Sequence, residues 1–273
     1  MIIIAKHTNQ LCNRLFTYLP ILSYALEAHQ PVLFLFQYRP YANLFPNLRK
    51  AGYHSLLTSS HLRSLRATAL YALIRLLDHA LHVVLHPAEP IPLHAPLGFL
   101  FAPRWREIRY DKAYIPKHAN TLRHLFAPSE EVTNTIAQHI QKGRGLLTIG
   151  VHIRRGDYAQ YRPELLFPPE TYANYMRQTQ QLLASQHQPI QFLLCSNEPV
   201  NTHLFPNLTT ITIPNATPII DLYALAACDY IIGVPSTFSL WASFYGQVPL
   251  LHFDSPNTTI SLHDFHICHT LTP

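Results

Sequence analysis

Apolar residues along this chain follow two alternating rhythms. Short β-branched runs take turns with stretches in which leucine recurs every three or four positions. Met1–Lys6 reads as a short buried strand and His7–Gln10 as a polar loop. Cys12–Ala28 predicts a helix, with Leu15, Leu19, Leu22 and Leu26 on one stripe. Val32–Phe36 reads as a second strand, and strand–loop–helix–strand is a βαβ unit, the mark of a parallel sheet. Residues 55–86 are leucine-rich and read as helical throughout. Arg63, Arg66, Arg75 and Asp78 interrupt them, so they are not a membrane span. They fit either a core-packing helix pair or a basic amphipathic surface lying on anionic lipid. Residues 87–97, rich in Pro and His, read as loop, and Phe99–Tyr114 shows no clear period. Pro128–Gln141 predicts a helix, with Ser129 as N-cap and Glu130 and Glu131 in its first turn. Lys142-Gly143-Arg144-Gly145 reads as a linker. It sets the expected domains at 1–143 and 144–273.

The second half alternates more regularly. Strands are predicted at Leu146–Ile153, Ile190–Cys195, Leu208–Ile213, Tyr230–Val234 and Pro249–Phe253. Helices are predicted at Pro168–Ser185, Asp221–Cys228 and Phe238–Tyr245. That order predicts a doubly wound α/β sheet.

Composition narrows the class. The 273 residues are 48% hydrophobic, enough for a sizeable core. Charged residues make up only 13%, against about a quarter in an average soluble domain. The formal charge of +5 fits an anionic ligand or membrane surface, or simply a basic exterior. No polybasic arm is present, which argues against nucleic acid. Cys12, Cys195, Cys228 and Cys268 form no Cys-x-x-Cys pair, and three lie in or beside apolar runs. They read as buried thiols in a reducing compartment. Met1–Ala5 lacks the basic region and cleavage site of a signal peptide, and no apolar run reaches the ~20 residues a bilayer span needs. These features suggest a cytoplasmic protein, with peripheral contact at the inner face of the membrane as a candidate.

The chemistry gathers at predicted strand ends. Thr148–Tyr158 runs from a buried strand straight into His152-x-Arg154-Arg155-Gly156-Asp157. Arginine forks suit phosphate, and open α/β sheets bind ligands at the carboxyl ends of their strands. Successive strand residues face opposite ways, so one of the two arginines should meet a ligand while the other serves structure. Arg155 with Asp157 is the natural internal ion pair. Ser196-Asn197-Glu198 follows the next strand, where Asn197 is either a ligand contact or a turn residue. Ser236 and Thr237 open a helix, either as a plain N-cap or as a phosphate cradle. Asp221 starts the helix between, as an N-cap or as a partner for guanine or ribose.

The His-x-Arg-Arg-Gly-Asp-Tyr block, followed by Asp221-Leu-Tyr-Ala-Leu-Ala-Ala-Cys-Asp-Tyr-Ile-Ile-Gly and Pro235-Ser-Thr-Phe-Ser-Leu-Trp-Ala-Ser-Phe, resembles the α-1,2-fucosyltransferases. These belong to a wider superfamily of GDP-fucose-dependent enzymes. The resemblance covers most of 1–30 and 146–253. It implies a GT-B-like α/β fold, with two Rossmann-like domains whose parallel sheets face across a cleft. It also implies an inverting, metal-independent transferase with no cofactor beyond the donor, GDP-fucose. By position, Arg154 would take the β-phosphate and His152 would lie near the diphosphate or base. Ser236, Thr237 and Phe238 would cradle the phosphates, and Asp221 would sit on the guanine side. Asn197 falls at the family's Ser-Asp-Asp-like strand end. The family's N-terminal Gly-Gly-Leu-Gly-Asn-Gln-Met-Phe-Gln-Tyr loop is matched here by Asn13, Phe16 and Tyr18, while its glycines and glutamine are replaced. Asn13 and Arg14 thereby fall on the acceptor side.

The expected reaction is attack by the 2-hydroxyl of a terminal β-galactoside on C1 of the fucosyl donor. Candidate catalytic residues are Arg154, Asp157 and Asn13, with Glu164 and Glu198 as outside candidates for a base. The sequence holds no Asp-x-Asp metal handle, and an arginine can stabilise a leaving diphosphate instead. Transfer in another linkage (α-1,3 or α-1,6) and a non-catalytic GDP-sugar-binding module are the alternatives. A dinucleotide oxidoreductase is disfavoured because no Gly-x-Gly-x-x-Gly occurs.

Overall fold

The structure, a computed structural model, describes residues 2–4, 10–38, 43–53, 55–59, 73, 112–140 and 145–270. They form two compact units, Met1–Ser129 and Glu130–Pro273. Each carries a parallel sheet, the α/β class expected.

In the first unit the strands β1 (Ile2–Ile4), β2 (Val32–Tyr38) and β3 (Ser55–Ser59) pair in that order, all parallel. Helix α1 (Leu11–Glu27) crosses from β1 to β2 and buries Leu15, Leu19 and Leu22, with Tyr18 edge-on to Phe34 at 5.0 Å. A short helix, α2 (Pro46–Lys50), precedes β3. Residues 55–59, expected to be helical, are therefore a strand. Pairing with β2 supplies the backbone partners that local leucine propensity does not foretell. Of the rest of that stretch only Leu73 is described. Residues 60–72 and 74–86, the 87–97 loop and most of Phe99–Tyr114 lie outside the described residues, as do Gln141 and residues 142–144 of the expected linker.

Helix α3 (Tyr114–Leu125) buries Ile115, Ala119, Leu122 and Leu125 and packs on α1. Pro116 stands in its first turn, where a missing N–H is harmless. Glu27 at the end of α1 accepts from Lys117 Nζ at 2.7 Å and lies 2.9 Å from His118 Nε2.

The second unit begins with α4 (Glu130–His139). It packs against α7 (Pro218–Ala226) within that unit, so the division falls before this helix rather than at the stretch following it. The five-stranded sheet runs β6–β5–β4–β7–β8, all parallel: β4 (Leu147–Ile153), β5 (Ile190–Ser196), β6 (Thr210–Ile211), β7 (Tyr230–Gly233) and β8 (Leu250–His252). Expected strand Leu208–Ile213 shrinks to an edge strand of two residues.

Every residue of β4 is buried, as befits a central strand covered on both faces. Ile149, Val151 and Ile153 join the core cluster that includes Tyr172, Tyr175 and Met176 of α6 (Pro169–Leu183). Tyr175 and Phe253 stack there at 4.0 Å. The opposite face meets α7. A Cβ on Gly150 would lie 2.6 Å from Leu225 Cδ2, so glycine lets the helix settle onto the strand. Helix α8 (Thr237–Gly246) packs on α7 and follows β7 through Val234-Pro235-Ser236. The sheet thus presents the ends of β4, β5, β7 and β8 along one edge.

Candidate functional site

Four residues share one row across that edge. Cys195, His152, Gly233 and His252 are register partners on β5, β4, β7 and β8. In a parallel sheet such partners face the same side.

His152 is the centre of the row and is 3% exposed. Its ring stacks on Phe238 of α8, with centroids 4.9 Å apart and planes 20° apart. Burial, and then the nearby Arg154 and His252, push its pKa down to about 3, so the imidazole is neutral at ordinary pH. Its Nδ1 is buried without a hydrogen-bond partner among the described residues. An orphaned polar atom costs free energy unless a ligand completes it.

Beyond β4 the chain turns through Gly156, whose φ of +57° is a left-handed conformation. Tyr158–Tyr161 then forms the short helix α5. Arg154 Nη2 donates to Asp157 Oδ2 at 2.6 Å, and the guanidinium carbon lies 5.3 Å from the centroid of the Tyr158 ring. Arg155 points elsewhere, with Nε 3.2 Å from Glu198 Oε2 and Nη1 3.4 Å from the Phe167 carbonyl. The two arginines take different partners, and the expected pairing of Arg155 with Asp157 does not form. Asp157 pairs with Arg154, because the turn at Gly156 brings position 157 back beside 154, while Glu198 takes Arg155. The other oxygen of Asp157, Oδ1, is buried without a hydrogen-bond partner among the described residues.

Asn197 acts on this turn. Its Oδ1 accepts from the Arg155 N–H at 2.9 Å, and its Nδ2 lies over the bare Cα of Gly156. Asp221 is not an N-cap. Thr217 holds that position, and Asp221 stands in the first turn of α7, half-buried. Burial raises its carboxyl to about 6, opposed in part by the thiol of Cys195. Cys195 Sγ lies 3.8 Å from the Asp221 carbonyl oxygen.

Ser236 does cap α8, its Oγ accepting from the Phe238 N–H at 3.2 Å, and Thr237 is the first helical residue. Capping and phosphate cradling are compatible, since one side-chain oxygen satisfies one of several free N–H groups at a helix start. The edge therefore combines a neutral ring, an arginine fork, a helix N-terminus and a carboxyl group. Among the described residues, no cluster of three or more His, Cys, Asp or Glu could hold a metal ion.

The model of glycosyl transferase family 11 matches residues 108–256, more than half of the chain. The chain belongs to glycosyl transferase family 11. A human relative, galactoside alpha-(1,2)-fucosyltransferase 1, is 25% identical over 163 residues, covering 56% of this chain and 45% of that protein. The family 11 chain thus spans about half the length of the curated relatives it matches. Among solved structures, a mutant of Arabidopsis thaliana FUT1 in complex with GDP is similar with a TM-score of 0.51 at 12% identity, over 97% of this chain and 72% of that one. An apo form of POFUT1 matches with a TM-score of 0.50 at 12% identity, over 92% and 97%. At such identities the likeness establishes the GT-B-like α/β fold.

The remaining expected residues of this family 11 chain lie in the other unit. Asn13 is half-buried on α1, its carbonyl accepting from Thr17 Oγ1 at 3.0 Å. Arg14 is 2% exposed and hydrogen bonds Tyr18. Thr8 and Asn9 of the same loop lie outside the described residues.

Two contributors were not among the expected site residues. His252 Nε2 lies 2.8 Å from Ser239 Oγ, which also donates to the Ser236 carbonyl at 3.1 Å. Burial lowers His252 to about 4, so it too is neutral. Its place at the end of the last predicted strand was the available signal. Tyr158 closes the arginine motif, and its hydroxyl donates to the Pro235 carbonyl at 2.7 Å.

Proposed function

We propose that this family 11 protein is a metal-independent, inverting fucosyltransferase that moves L-fucose from GDP-fucose to the 2-hydroxyl of a terminal β-galactoside. The observation that carries the reading is the row at the second sheet's edge. Buried His152, its Nδ1 without a partner among the described residues, stands there near Arg154 and stacked on Phe238 at the start of α8, with Asp221 on the neighbouring helix α7. The linkage and acceptor rest on the match to a galactoside alpha-(1,2)-fucosyltransferase.

In this reading the diphosphate lies between Arg154 and the N-terminus of α8, and the base lies towards Asp221 and His152. A carboxylate at Asp221 accepts from the N–H groups of guanine. Neutral His152 offers Nδ1 as a lone pair or, in the other tautomer, as a donor. As the C1–O bond to the diphosphate breaks, negative charge grows on GDP while the sugar takes oxocarbenium character. The arginine fork and the helix dipole are already aimed at that charge, so little reorganisation is needed. The acceptor hydroxyl adds at C1 from the opposite face and loses its proton, so a β-linked donor gives an α-linked product. Asp157, engaged by Arg154, serves to orient the guanidinium. Asn13 and Arg14 on α1 are the acceptor-side candidates.

The test is GDP release from GDP-fucose in EDTA, with and without a panel of β-galactosides, for wild type and Arg154→Ala. Acceptor-dependent release that survives EDTA supports the reading, with a loss in the variant of about 100-fold or more. NMR of the product reports the linkage, and an α-1,3 or α-1,6 product would replace the α-1,2 assignment. GDP binding without turnover on any acceptor would favour a binding module. Failure to bind GDP would refute the site.

A further inference from the structure

We infer that Tyr158 is a positioning residue that ties the arginine loop to the start of α8, holding the two halves of the diphosphate site at a fixed spacing before the donor arrives. The inference rests on the diphosphate reading above and assigns a role to the last residue of the motif, which that reading leaves unused.

Arg154 and the Ser236 cap belong to loops that leave two adjacent strands, β4 and β7. Strand pairing fixes those loops only at their roots. Beyond the strand ends, Tyr158 makes a direct link between them. Its hydroxyl reaches 77 positions along the chain to the Pro235 carbonyl, the residue just before the cap. At the same time its ring lies beneath the Arg154 guanidinium, within cation–π range. The base of the residue is anchored as well. Its N–H bonds the Arg155 carbonyl at 3.2 Å, and its ring packs on the core of the second sheet.

One side chain thus touches the cation that grips one end of the diphosphate and the backbone that presents the other. An arginine has a long, flexible stem, and binding must otherwise immobilise it at an entropic cost. Asp157 holds the fork from one side and the Tyr158 ring supports it on another. The hydroxyl carries the coupling, because it bonds the backbone that leads into the α8 turn. Tyr158→Phe removes the link and keeps the ring.

The experiment is a double-variant cycle on the full chain. GDP and guanosine affinities are measured by calorimetry and ligand-observed NMR for wild type, Tyr158→Phe, Arg154→Gln and the double variant, with a thermal melt of each. Tyr158→Phe should weaken GDP by roughly three- to tenfold, the effect of one neutral hydrogen bond. Guanosine affinity should stay unchanged, since guanosine has no phosphates to span the two loops. In the Arg154→Gln background the same change should have no effect on GDP, because the coupled partner is gone. Equal GDP affinity for wild type and Tyr158→Phe overturns the inference. So does an equal loss in both backgrounds, or a parallel loss for guanosine, either of which marks general support of the fold. Wild type that fails to bind GDP overturns the diphosphate reading itself, and the inference with it.

Discussion

Gly156→Ala should damage the arginine loop through two separable effects. Position 156 has φ +57°, a conformation that costs an L-residue about 1–2 kcal/mol. An added Cβ would also lie 2.5 Å from Asn197 Nδ2. The Asn197 side chain must then swing away and give up its 2.9 Å bond to the Arg155 N–H, a loss of about 0.5–1.5 kcal/mol. The narrower unfolded ensemble of alanine returns about 0.4–1 kcal/mol. The net is about 2 kcal/mol, or a melting shift of roughly 4–8 °C for a unit of this size. Thermal melts of Gly156→Ala, Asn197→Ala and the double variant separate the two effects. With Asn197 already truncated, only the backbone strain remains. The double variant should therefore be more stable than the sum of the singles implies, by about 1 kcal/mol, the value of the shared bond. Strict additivity would refute the claim that Asn197 holds this turn, and a neutral Gly156→Ala would refute the whole account.

Three further outcomes are expected. His152 has a pKa of about 3 in the fold against an ordinary 6.5, so the unfolded chain takes up the proton first and stability falls as pH drops through that window. Between pH 6.5 and 5 this costs about 2 kcal/mol, and urea titrations should show the slope reduced in His152→Gln. Asp221 runs the other way, with its carboxyl raised to about 6. Its share of stability is greatest at low pH and declines as pH rises from about 4 to about 6, while GDP affinity, which in the proposed reading uses the carboxylate, should strengthen through pH 6. Asp221→Asn should flatten that affinity profile, and an unchanged profile would remove Asp221 from the base site. Gly150→Ala places a methyl 2.6 Å from Leu225 Cδ2. Overpacking of this kind should cost about 1–3 kcal/mol in a denaturant melt.

Much of the second unit was legible because its signals are local. A β-branched, largely apolar run such as β4, broken only by Thr148 and His152, reads as a buried strand, and Ser236 before an apolar run reads as a helix start. Arg154 and Arg155 lie just past the end of β4, where their directions are set by the turn rather than by the pleat. Residues 55–59 were misread for the complementary reason. A short leucine-bearing segment has no rhythm of its own, and only the neighbouring β2 makes it a strand. Asp221 was placed at a helix start, but Pro218 at the first turn sets that start earlier and carries Asp221 inside.

What the sequence determined by itself was the order of the strands and main helices of the second unit, the parallel character of both sheets and the residue types brought to the edge of the second. Periodicity and the chemistry of side chains at strand ends suffice for that. Tertiary structure decided the partnerships. Asp157 went to Arg154 and Glu198 to Arg155 because a left-handed turn at Gly156 redirects the loop. His252 and Tyr158 entered the site through register and a long-range hydrogen bond, which no local pattern encodes. The unpartnered nitrogen of His152 is likewise a product of packing. Burial removes its water, and the described residues supply no hydrogen-bond partner in its place.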